Sequence, residues 1–149
     1  MKNSCIDFYT SIVQAQKSFL ELIEHELKLI NEENLSAVQA LIILNIGDND
    51  VSLGDLVLKR GYSGSNASYN IKKIANEGYI EQIPSPHDKR SLILRLTNKG
   101  TDVFKKLKSA IDKHSQKLEH VVFDRVNYSR VSKFLREISN YWRNSTNDW

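Results

Sequence analysis

The chain has 149 residues, 40% of them hydrophobic and 26% charged, which suits one globular domain with a real core and excludes a disordered polymer. No apolar run approaches the roughly 18 to 20 residues a spanning helix needs, and Met1 to Asp7 carry no apolar signal-peptide core, so no membrane partner and a cytoplasmic location are expected. The net charge of +3 is uneven: residues 52–100 carry +4 and the remainder −1, so the positive charge sits in one stretch.

In chain order, Ile6, Tyr9, Ile12, Val13, Phe19, Leu20, Ile23, Leu27 and Ile30 recur at spacings of three and four, which predicts an amphipathic helix over about 6–30. At 1.5 Å per residue it would reach roughly 37 Å, more than a small core can cover, so part of its apolar stripe needs another partner. Ser36 with Gln39 three residues later is a capping-box signature for a second helix, Ala37 to Ile46, whose almost wholly apolar composition predicts burial on most sides. Gly47 should stop it, and Asp48 to Asp50 should turn the chain.

Ser52 and Asp55 open a short helix expected to end at Gly61. After a turn around Tyr62 to Ser65, a helix from about Asn66 to Glu77 should face the core with Ala67, Ile71, Ile74 and Ala75, and end at Gly78. Two helices across a tight Gly-containing connection are a helix-turn-helix. Tyr79–Ile83 and Leu92–Leu96 read as strands flanking Pro84 to Arg90, where two prolines preclude a helix. Helix-turn-helix plus basic hairpin is a winged helix. Thr97 should cap a long helix from about Lys99 to His120, and a last helix, about Tyr128 to Arg143, should precede a frayed polar end, Asn144 to Trp149. The fold class expected is mainly α with a small β-hairpin wing (α+β), with N- and C-terminal helical arms. Both arms bear more apolar surface than the winged helix can hide, and a symmetric dimer would bury the same patch on both subunits.

Asp88 to Gly100 resembles the wing signature of the MarR family of bacterial transcriptional regulators: Asp, a basic residue, Arg, then a strand ending in Leu-Thr-x-x-Gly. The resemblance covers nearly the whole chain. The segment Gly64 to Asn70 resembles a branch of the family found in alphaproteobacteria, similar to regulators of cell-wall transpeptidase genes. The resemblance implies a single MarR-like domain over 1–149, with a DNA-binding lobe at 36–100 and dimerisation arms at 1–35 and 101–149. It also implies a homodimer on double-stranded DNA carrying a pseudo-palindromic operator, with the helix from about Asn66 to Glu77 in the major groove and the wing on the minor groove. Members commonly repress and are released by a small aromatic or phenolic ligand in a crevice. Tyr9, Ile12, Ile42 and Asn45 would line that crevice or belong to plain core.

For the reading helix, Ser65, Asn66, Ser68, Tyr69 and Asn70 are the candidate base contacts, since Asn can pair bidentately with adenine and Ser can meet several bases. Ser65 and Asn66 could equally cap the helix. Lys72 and Lys73 are placed to reach phosphates, with a solvated face as the plain alternative. In the wing, His87, Lys89 and Arg90 are candidate DNA contacts, Arg90 above all because a narrow minor groove attracts arginine, while Asp88 should orient Arg90 or a neighbouring backbone.

Cys5, the only cysteine, excludes an intrachain disulfide and a Cys-based zinc site, and leaves a redox-sensing regulator as one alternative. His114 and His120 are six apart and point to different faces, so no metal and no cofactor is expected. No nucleophile–base pair or paired carboxylates stand out, so an enzyme is not expected. The remaining alternative is a winged-helix protein-interaction module, distinguished by whether DNA affinity falls steeply with salt.

Overall fold

The computed structural model describes residues 4–60, 64–121 and 127–147. They form α1 (Ser4–Leu29), α2 (Ala37–Ile46), β1 (Val51–Ser52), α3 (Leu53–Arg60), α4 (Gly64–Asn76), β2 (Ile80–Pro84), β3 (Leu92–Leu96), α5 (Asn98–Val121) and α6 (Tyr128–Asn147). The chain divides into two compact units, residues 1–110 and 111–149, and the division falls inside α5.

The first unit is built around α2. Its start carries the complete capping box: the Ser36 hydroxyl accepts from the Gln39 amide at 3.2 Å, and the Gln39 side-chain oxygen accepts from the Ser36 amide at 3.1 Å. Gly47 ends it at φ +61°, a left-handed conformation that costs glycine little. Having apolar residues all round, α2 packs against α1, α3, α4 and β3 at once, and Ala40, Ile42 and Ile43 are fully buried. Ile23 and Leu27 of α1, Leu56 of α3, Ile74 of α4, Leu94 of β3 and Leu107 of α5 complete the core.

Helices α1 and α4 end alike. After α1, Asn31 adopts φ +59°, Glu32 N–H donates to Leu27 C=O (2.9 Å), and Asn31 N–H donates to Lys28 C=O (3.1 Å). After α4, Gly78 adopts φ +83°, Tyr79 N–H donates to Ile74 C=O (2.9 Å), and Gly78 N–H donates to Ala75 C=O (3.0 Å). Both are Schellman closures, which satisfy carbonyls that a helix end leaves open.

The sheet has three antiparallel strands in the order β1-β3-β2. The wing strands pair in the register Ile80↔Leu96 to Pro84↔Leu92. Strand β1, absent from the sequence reading, adds Val51↔Leu94 and Ser52↔Ile93. Two residues are too few to show an alternating pattern, so only pairing with β3 defines it. Ser52 also accepts from Asp55 N–H (3.0 Å), which starts α3 as expected. The expected stop at Gly61 and the first part of the turn around Tyr62 lie outside the described residues.

Beyond the core the helices keep apolar side chains in solvent. On α1, Ile6, Tyr9 and Val13 are exposed, and burial begins only near Ile23. In the second unit, Leu118, Val121, Phe134, Leu135, Tyr141 and Trp142 are exposed. There, Asn127 caps α6 by accepting from Ser129 N–H (2.8 Å), and the Tyr128 hydroxyl donates to the Ser115 carbonyl (3.3 Å). Over 144–147 the expected fraying is corrected: α6 continues through Asn147, with the Ser145 and Thr146 hydroxyls donating to the Tyr141 and Arg143 carbonyls at 2.9 Å, while residues 148–149 lie outside the described residues. Among the described residues, no helix is long and apolar enough to cross a membrane.

Candidate nucleic-acid interface

Burial splits α4 lengthwise. Ala67, Asn70, Ile71 and Ile74 recur at i, i+3, i+4 and i+7 and are buried, while Asn66, Ser68, Tyr69 and Lys72 are exposed and Lys73 partly so. Tyr69 is 67% exposed. No Asp or Glu lies anywhere in the helix, so the exposed side offers a hydroxyl, an amide, a phenol and ammonium groups with no carboxylate to repel a phosphate. Ser65 lies within the first turn of α4.

Asn70 departs from its expected place as a base reader. Only 7% of it is exposed. Its Oδ1 accepts from Gln39 Nε2 at 3.1 Å, and its Nδ2 donates to the Asn66 carbonyl at 2.9 Å. The reason is position: three residues after Ala67 and one before Ile71, it shares their stripe. That spacing was visible in the sequence and conflicts with an outward Asn70. Gln39 was foreseen as half of a capping box, but its link to α4 was not.

The wing tip is open. His87, Asp88, Lys89 and Arg90 are all exposed, and the loop closes through Ser85 N–H to Ser91 C=O and Ser91 N–H to Asp88 C=O, both 2.9 Å. Asp88 Oδ1 accepts from Arg90 N–H at 3.0 Å, so its carboxylate holds the backbone from which the Arg90 side chain projects. Nearer the wing's root, Arg95 grips Asp50 through two hydrogen bonds of 2.8 and 2.7 Å. That bond to Arg95 is the main reason the Asp50 carboxyl is held below its ordinary pKa, and the same bond raises Arg95.

The wing base is closed. The Thr97 hydroxyl donates to Gly78 C=O (2.6 Å) and accepts from Gly100 N–H (3.1 Å), while Thr97 N–H donates to Tyr79 C=O (3.1 Å). A Cβ on Gly100 would be driven into the Tyr79 carbonyl. The Tyr79 hydroxyl donates to Glu32 Oε2 (2.6 Å), and Lys99 Nζ lies 4.0 Å from the Tyr79 ring centroid. The Leu-Thr-x-x-Gly stretch is therefore a clamp on the end of α4.

The four candidates for an effector crevice are not equivalent. Ile42 is fully buried, and Asn45 donates its side-chain amide to Leu41 C=O (2.9 Å) within α2. Tyr9 is exposed and Ile12 partly so. A cavity of about 220 Å³ lies elsewhere, lined by Glu24, Leu27, Lys28, Glu33, Leu35 and Ser36, and is smaller than the ~300 Å³ at which ligand pockets usually begin. Cys5 is exposed and free. Among the described residues no three His, Cys, Asp or Glu side chains gather as a metal site.

Comparison with known proteins fits this geometry. The MarR family profile matches residues 33–91, from the turn before α2 to the wing tip. The exopolysaccharide II synthesis transcriptional activator ExpG of Rhizobium meliloti is 33% identical over 132 residues, covering 89% of this chain and 68% of its own. Among solved structures, the MarR regulator of Oenococcus oeni aligns with a TM-score of 0.71 at 18% identity, over 92% of this chain and 98% of its own. Streptococcus pneumoniae FabT, solved in complex with DNA, aligns with a TM-score of 0.66 at 19% identity over the whole of both chains. With the profile lying on the helix-turn-helix and wing, and a relative at this identity along most of the chain, the protein belongs to the MarR family of winged-helix, DNA-binding transcriptional regulators.

Proposed function

We propose that this chain is a homodimeric, sequence-specific regulator, a single domain over 1–149 in which residues 36–100 read DNA and residues 1–35 and 101–149 act as dimerisation arms. The observation that carries the reading is the carboxylate-free exposed side of α4, bearing Asn66, Ser68, Tyr69 and Lys72. Ser68 and Tyr69 meet base edges, Ser65 and Asn66 serve the first turn and the nearest phosphate, and Lys72 and Lys73 add affinity without sequence information. His87, Lys89 and Arg90 meet the adjoining backbone, with Arg90 in the minor groove and Asp88 holding its backbone. A dimer would set two α4 helices about 34 to 36 Å apart, on successive turns of a pseudo-palindromic operator. The exposed apolar side chains of α1 and of α6 supply the surface such a dimer needs to cover. FabT, of the same fold, was solved with DNA, which supports the fold's fit to a duplex.

For the sign of regulation, repression by occupying a promoter stands beside a second reading, activation, which the name of the Rhizobium relative favours. A small aromatic effector belongs to the same proposal and would be met at Tyr9 and Ile12 rather than at the sealed Ile42.

Selection from a randomised duplex library tests the core of the proposal. A two-fold symmetric motif is expected, with log affinity falling against log salt at about −0.9 per phosphate contacted. Failure to enrich any motif, or a flat salt response, would refute DNA reading and leave the protein-interaction alternative. Footprinting upstream of the protein's own gene would then place a natural site.

A further inference from the structure

We infer that the buried Gln39–Asn70 amide pair is a specificity-determining positioning device, which fixes the rotation of α4 so that Ser68 and Tyr69 face outward. This rests on the proposal that α4 reads DNA. Gln39 acts at both ends of its side chain: Oε1 completes the α2 cap by accepting from Ser36 N–H (3.1 Å), and Nε2 reaches across to Asn70 Oδ1 (3.1 Å). Asn70 passes the restraint along α4 by donating to the Asn66 carbonyl one turn earlier (2.9 Å), with Asn66 Oδ1 at 3.4 Å. Both amides are nearly sealed, Gln39 at 2% and Asn70 at 7% exposure.

The physical reason is directional. The apolar contacts of α4, through Ala67, Ile71 and Ile74, are numerous but tolerate sliding and rotation, since dispersion forces have no preferred angle. A buried hydrogen bond does have one, and breaking it leaves a desolvated donor and acceptor, so rotated arrangements of α4 are penalised. Tyr69 is the residue adjoining Asn70, so any rotation about the helix axis swings it off its base. The capping box ties the same Gln39 to the start of α2, the most buried helix, so the restraint is anchored in the least movable part of the core.

The test compares Asn70→Ala, the double variant Gln39→Leu/Asn70→Leu, and Ser36→Ala, using a duplex enriched by the wild-type protein and a scrambled duplex of equal length. The double variant removes both amides together and so strands no buried partner in the pair. Ser36→Ala weakens the cap but keeps the Gln39–Asn70 bond, which controls for general loss of stability. The ratio of affinities for enriched over scrambled duplex should fall about tenfold in Asn70→Ala and in the double variant, the worth of one well-made base contact. In Ser36→Ala it should stay at the wild-type value although the melting temperature drops. A wild-type ratio in the folded double variant would overturn the inference, and so would an equal loss in Ser36→Ala. If Asn70→Ala and the double variant both fail to fold, the pair is needed for the fold itself and the inference is equally overturned. Absence of any enriched duplex for the wild type would instead bring down the DNA-reading proposal beneath it.

Discussion

At the base of the wing, Gly78, Tyr79, Thr97 and Gly100 lie in a closed set of hydrogen bonds, whereas at the tip His87 to Arg90 are exposed and held by a few local bonds. The two ends belong to one hairpin, β2 and β3, yet differ in what they can lose. Polar groups at the base have protein partners, and Tyr79 and Gly100 among them are buried, so changes there should appear as stability. Side chains at the tip are already solvated, so changes there should appear in DNA binding alone. A substitution that moved both quantities together would blur this division.

The largest effect expected is from Gly100→Ala. Its Cβ meets the Tyr79 backbone, which cannot step aside as a flexible side chain would. A loss of roughly 3 kcal/mol or more is expected in urea unfolding; a change under about 0.5 kcal/mol would mean that the clamp is loose.

Arg90→Ala comes next and should act oppositely. Affinity for an enriched duplex should weaken by about 1 to 3 kcal/mol, with the salt slope reduced by about one unit if a phosphate contact is lost. The melting temperature should stay at the wild-type value, because the side chain is exposed. Wild-type affinity in a shift assay would remove Arg90 from the interface.

Tyr79→Phe keeps the ring under Lys99 and deletes only the bond to Glu32, for an expected cost of about 1 kcal/mol. It also carries a pH signature. Burial first, then the bond to Glu32 and the charges of Glu32 and Glu77, push the Tyr79 phenol above its ordinary pKa of 10.0. The folded protein thus holds this proton more tightly than the unfolded chain does. The contribution is complete below pH 10 and is lost as pH rises beyond it. Above pH 10, wild-type stability should fall more steeply than that of Tyr79→Phe; parallel curves would sink the assignment.

Arg95→Ala should have the smallest effect. Its fork with Asp50 is well formed but solvent-exposed at both partners, so screening and side-chain entropy offset most of the attraction. A slight fall in melting temperature that vanishes in high salt is expected. A large, salt-independent fall would place the fork among the closed contacts of the base.

Local signals were enough for much of the fold. The Ser36/Gln39 box, the apolar run of α2, the stops at Gly47 and Gly78, and the Thr97 cap each depend on neighbours within about four residues, and each is found where the sequence places it. The wing and its charged tip were legible for the same reason: paired prolines between two short apolar runs are short-range features. Strand β1 was not, because two residues become a strand only when β3 lies beside them.

The amino-acid sequence by itself thus determined which segments are helix or strand, where the positive charge lies, and which face of α4 carries Ala67, Ile71 and Ile74. Tertiary structure decided which role Asn70, a polar residue on that same face, takes. Asn70 has the chemistry of a base reader and the spacing of a core residue, and composition cannot choose between them. Gln39, far away in sequence, makes the choice by offering a buried donor at 3.1 Å. A polar side chain settles where its hydrogen bonds are satisfied, and that partner is fixed by packing between helices rather than by neighbours along the chain.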